Sequence, residues 1–186
     1  MATKIDLISN ALILIGDTPV SSLTGGTRRE VVADKLYDNI VQTELSKHRW
    51  TFARKQAQIT KLVSTPPDPN TWNSVYQLPT DMVFLITVSP DSNYQVYGDK
   101  LYSNSAADLY ADYIYNVAEA DWPVYFAKVI EYALAMDFAA SIRDSASARA
   151  EMAGAYVNAS RMARFTDSQQ APVERIRSNP FASVRY

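Results

Sequence analysis

Apolar residues recur at helical spacing at both ends of this chain and at alternate positions through its middle. That change of period constrains the fold more than any other feature. At the N-terminus Ile5, Ile8, Leu12 and Ile15 fall on one helical face, with Thr3 placed to cap the helix and Asp6 to answer it three residues later. Gly16 stops this helix and Pro19 follows. Thr27 and Glu30 form a second capping box, opening a helix striped by Val32, Leu36 and Ile40 and widened by Tyr37, Val41 and Leu45, expected to run to about His48.

From Trp50 to about Val117 the pattern is that of strands. Gln58 to Val63 alternates weakly, and Pro66, Pro67 and Pro69 then make a loop too rigid and too poor in donors for regular structure. Val75 to Leu78 and the apolar run Met82 to Val88 flank a Pro79-Thr80-Asp81 turn, and the run reads as a buried strand. Tyr94 to Tyr97 and Lys100 to Ser103, joined by Gly98-Asp99, read as a hairpin. Asp108 to Val117 alternates, with Leu109, Ala111, Tyr113, Tyr115 and Val117 on one side.

Helical spacing then returns. Asp121 or Trp122 is expected to cap a third helix, with Pro123 in its first turn, running to about Arg143. Phe126, Val129, Ala133 and Met136 form one stripe of it, and Ile130, Leu134 and Phe138 the next. A fourth helix follows from Ala146 to Phe165, its apolar face Met152, Ala155, Ala159 and Met162 beside Tyr156. Ser168 to Tyr186 carries neither period. It holds three arginines against Glu174, and closes on the apolar anchors Phe181, Val184 and Tyr186.

Residues that carry chemistry are sparse. There is no cysteine, so disulfides, thiol catalysis and thiolate metal sites are excluded. The single histidine, His48, sits between Lys47 and Arg49 at a predicted helix end, where an imidazolium suits the helix dipole. Asp108, Asp112 and Asp121 are not spaced as a calcium loop. Gly25-Gly26 lacks the lysine and hydroxyl residue of a phosphate loop. The net charge of −2 gives no overall attraction for nucleic acid. Met1 to Ile15 reads as a helix and not a signal peptide, and no apolar run approaches the roughly 20 residues that span a bilayer. No enzyme, cofactor or metal site is expected.

The compositional oddity is twelve tyrosines and three tryptophans. Tyr94, Tyr97, Tyr102, Tyr110, Tyr113 and Tyr115 all fall in the strand region, whose interior is small for so many rings. Some are therefore expected to face a partner, because tyrosine suits surfaces buried at one end and wet at the other.

Several blocks resemble tail tubular protein A, the adaptor of short-tailed bacteriophages. They are Ile8-x-x-Ala11-Leu12-x-x-Ile15-Gly16-x-x-Pro19-Val20-Ser21-Ser22-Leu23; Leu45-Ser46-x-x-Arg49-Trp50-x-Phe52-Ala53; and Tyr76-x-Leu78-Pro79-x-Asp81. Then come Trp122-Pro123, an alanine-rich helix pair and Asp167-Ser168-Gln169-Gln170. Their order and spacing cover essentially the whole chain. The resemblance implies an α+β, mainly α fold: a four-helix bundle core from residues 1–50 and 118–167, a small antiparallel β insertion over residues 51–117, and an extended C-terminal arm over residues 168–186. It implies a structural virion protein at the portal vertex, made in the host bacterial cytoplasm. Its subunits would form a ring, a dodecamer in the family, between portal protein and tail nozzle (tail tubular protein B). Genomic DNA would pass through the lumen without sequence-specific binding, and no membrane is involved. Portal contact is expected at Arg175, Arg177, Phe181, Val184, Arg185 and Tyr186. Nozzle or neighbouring-subunit contact is expected at Tyr94, Tyr97, Tyr102 and Tyr110. Two other readings compete: a head-completion or connector protein of another tail type, and a tail-associated cell-wall hydrolase built on an acid pair.

Overall fold

A computed structural model describes residues 3–170 of the chain. Helix α1 (Lys4–Leu14) starts as its sequence dictates: the Thr3 hydroxyl accepts from the Asp6 N–H at 3.2 Å, and the Asp6 carboxylate accepts from the Thr3 N–H at 3.0 Å. It ends at Gly16, whose φ of +74° is open to glycine at little steric cost, and there the Arg143 guanidinium reaches back to donate to the Ile15 carbonyl. Helix α2 (Arg28–Ser46) opens with the Glu30 carboxylate accepting from the Thr27 N–H at 3.1 Å. Helix α3 (Val124–Ser141) is capped by Pro123, not by Asp121 or Trp122, and α4 (Ala146–Ser168) by the Ser145 hydroxyl.

Helix α3 packs against α1, α2 and α4, which explains why two neighbouring stripes of it are apolar. Phe126, Val129, Ile130, Leu134, Ala135 and Phe138 are all fully buried. Glu131 is buried among them, its charge met by Lys128 Nζ at 2.6 Å and Asn10 Nδ2 at 2.8 Å. On α4 the inward residues are Met152, Ser160, Ala163 and Asp167, whereas Met162, expected inside, is 62% exposed.

Between α2 and α3 run β1 (Arg54–Leu62), β2 (Ser74–Gln77), β3 (Met82–Ser89), β4 (Tyr94–Tyr97), β5 (Lys100–Ser103) and β6 (Leu109–Tyr115). They form one antiparallel sheet in the order β3-β6-β1-β2-β5-β4. The long strand β1 changes partner midway. Arg54 to Ile59 pair with β6, and Thr60 to Leu62 pair with β2. The sheet curls into half a barrel. The expected hairpin is β4–β5, with Gly98 at φ +62° in its turn.

This architecture corrects the expectation of a four-helix bundle with a small β insertion. The six-stranded half-barrel has a core of its own, made by Ile59, Tyr76, Leu78, Val88, Leu101, Leu109, Ala111 and Tyr113. It also completes the helical core: Ile114 and Val117 are buried there, with Val83, Ile86 and Tyr115 packed against them. The reason lies in strands that serve two interiors. On β6, Leu109, Ala111 and Tyr113 face the half-barrel while Ile114 is buried among the helices, so a simple one-sided alternation missed half its packing. The apolar run of β3 has the same origin. Met82 and Leu85 pack on the sheet core, Val83 and Ile86 on the helical core. Yet β3 is an edge strand rather than the buried strand expected, and only its Val88 is buried.

Candidate interaction surfaces

The best-organised polar site lies where the last turn of α4 meets the α2–β1 junction. Asp167 is fully buried and accepts from the Thr51 N–H at 3.0 Å, the Thr51 hydroxyl at 2.7 Å and the Tyr125 hydroxyl at 2.8 Å. His48 Nε2 stands 3.5 Å from Asp167 Oδ2, and its ring meets the Trp50 indole edge-on at 4.8 Å. His48 therefore has a carboxylate partner as well as the helix-end placement read from sequence. Burial and the neighbouring carboxylate push the Tyr125 hydroxyl up to about 12. Thr51 gives its proton to Asp167 and not to an imidazole, so the nucleophile–base order that acyl transfer requires is not formed here.

An aromatic cluster underlies this junction. Trp50, Phe52, Trp122, Tyr125 and Phe126 stand 4.8 to 6.5 Å apart, ring to ring, along a connected chain of contacts. The indole N–H of Trp50 donates to the Glu44 carbonyl, and that of Trp122 to the Val117 carbonyl, each at 2.9 Å. One turn away the buried Glu44 carboxylate accepts from Lys47 Nζ at 2.6 Å and the Tyr156 hydroxyl at 3.0 Å, fastening α4 to α2. Beside it a groove of about 320 Å³ is lined by Leu36, Ile40, Met136 and Asp137, and burial raises the Asp137 carboxyl.

The tyrosines expected to meet partners divide. Tyr97 is 52% exposed and Tyr110 42%, while Tyr94 and Tyr102 are half-buried. Tyr97 and Tyr102 come together edge to face at 5.3 Å across the β4–β5 hairpin, and Tyr110 lies apart on β6. Large apolar side chains also stand exposed on α4: Val157, Met162 and Phe165. Arg175, Arg177, Phe181, Val184, Arg185 and Tyr186, expected to contact the portal, lie outside the described residues. Of the acids weighed as metal ligands, Asp112 is instead held by Arg54, whose Nε is 2.9 Å from both of its oxygens. Among the described residues no cluster of three or more metal-ligating side chains forms.

Sequence reasoning missed Asp167 and Thr51, because a lone acid near a helix end reads as a solvated cap until its tertiary partners are seen. The one signal was that Asp167 belongs to a block resembling the adaptor family. No protein-family model matches this chain, and no curated protein matches it.

Proposed function

We propose that this chain is a structural virion protein of a short-tailed bacteriophage: the adaptor subunit that joins portal to tail nozzle as a ring and lines the DNA ejection channel. The observation that carries the reading is the meeting of three separated blocks of the resemblance. Arg49-Trp50-x-Phe52-Ala53, Trp122-Pro123 and Asp167 come from distant parts of the sequence and converge on one aromatic and hydrogen-bonded junction. Residues that resemble a family in order and spacing, and that jointly build one packed junction, support a shared fold rather than chance matches. The same junction fixes the end of α4 at the point where the chain leads into residues 171–186, which supply the partner contacts in this reading.

Val157, Met162 and Phe165, exposed on the single helix α4, and Tyr97 on the β4–β5 hairpin are the side chains this reading offers to partners. The test is reconstitution with purified portal and nozzle proteins. The adaptor reading expects a complex of all three, with this chain between the other two. Turnover of peptidoglycan that disappears when one acid pair is neutralised would replace this reading by the hydrolase one.

A further inference from the structure

At the far end of the half-barrel, the proline-rich loop after β1 folds over the β4–β5 hairpin and leaves a cleft of about 460 Å³. Its lining includes Pro67, Asp68 and Trp72 from the loop and the paired rings of Tyr97 and Tyr102 from the hairpin. Asp68 shapes the loop: its carboxylate accepts from the Asn70 N–H at 3.1 Å and the Thr71 hydroxyl at 2.5 Å, and its carbonyl accepts from the Trp72 N–H at 3.1 Å.

Trp72 differs from the other two tryptophans. It is only 8% exposed, yet its indole N–H has no partner among the described residues, whereas those of Trp50 and Trp122 each donate to a backbone carbonyl. Nor is it sealed from solvent: the shielded, unpartnered side-chain atoms are the Ser92 and Ser160 hydroxyls. The indole is thus largely buried, it lines the cleft, and its N–H is unpaired among the described residues. A buried tryptophan with an open N–H is built to give a hydrogen bond to something that enters.

We propose that this cleft binds an extended, proline-bearing segment of a partner chain, with a basic residue beside the proline. Proline segments hold an open left-handed helix with unpaired carbonyls, which accept well from an indole N–H, and their flat rings fit between aromatic walls. The Thr71 hydroxyl, with the Asn70 N–H, holds the Asp68 carboxyl below the usual range, so the rim stays negative at neutral pH and attracts a cation. β4 is one of the two edge strands of the sheet, so no further strand covers the Tyr97 side. This inference does not depend on the adaptor reading.

The test is titration of the full chain by calorimetry with a synthetic Pro-Pro-Lys-Pro-Pro peptide, and with the same peptide carrying alanine for lysine. Saturable binding is expected, about tenfold weaker in W72F, which keeps an aromatic side chain of smaller size and loses the donor. Y97A should weaken it by a similar factor. D68N, which keeps an acceptor for the loop, should remove the advantage of the lysine peptide over the alanine one. Circular dichroism checks that each variant is folded. No binding of either peptide up to about 1 mM, or equal binding by W72F, Y97A and the unaltered chain, overturns the proposal. So does a chitooligosaccharide that occupies the cleft when the peptides do not.

Discussion

Asp167 Oδ1 lies 2.7 Å from Thr51 Oγ1, so the final turn of α4 is bonded to the turn from which the sheet begins, 116 residues earlier in the chain. One carboxylate thereby joins the last helix, the start of α3 through Tyr125, and the helix-to-sheet junction. Replacing Asp167 by alanine leaves the Thr51 and Tyr125 donors without an acceptor in a buried site. The expected loss is about 3 kcal/mol, which at roughly 2–4 °C per kcal/mol lowers the melting temperature by roughly 6–12 °C. A shift under about 2 °C would mean that the junction carries no load.

Alkaline pH should loosen the same junction. Burial raises the hydroxyl pKa of Tyr125 to about 12 and also raises that of Tyr37, which donates to Glu119 at 3.2 Å. A group whose folded pKa lies above its unfolded value of about 10 contributes stability that is fully present below 10 and lost as pH climbs toward the folded value. Melting temperature should therefore fall between about pH 10 and 12, and less steeply in Y125F. Absorbance of tyrosinate should show these two hydroxyls titrating above the ordinary tyrosine value of about 10. If Y125F follows the unaltered chain across that range, the assignment to Tyr125 is wrong.

Ile114 tests whether helices and sheet form one unit. It sits on a strand yet is buried in the helical core. I114A should lower stability by about 2–5 kcal/mol, with helical circular dichroism and near-ultraviolet aromatic signals moving together. Two separated transitions would instead describe an insertion that folds apart from the helices.

The local devices of this fold are legible in its sequence, whereas its architecture is not. Thr3 with Asp6, Thr27 with Glu30 and the Gly98-Asp99 turn are local devices whose chemistry is complete within four residues, and each stands where it was read. The scale of the sheet was not legible, because β3 and β6 serve two interiors and an apolar run cannot say which two. The sites were harder still. Asp167 and Trp72 look ordinary in sequence; what marks them is partners 42 and 116 residues away in one case and a missing partner among the described residues in the other.

The exposed tyrosines should matter to partners and hardly to the fold. Y97A and Y110A are each expected to change stability by less than about 1 kcal/mol. Either should weaken capture by a nozzle protein or a neighbouring copy in a pull-down with the purified partner. Large destabilisation with undiminished capture would assign these rings to the core.

The central proposal is tested most directly by electron microscopy of short-tailed phage particles assembled in cells where this chain carries a small tag at its N-terminus. The account predicts the label in a closed ring between portal and nozzle, around the channel. Label absent from the particle, or confined to fibres or the capsid shell, would contradict it.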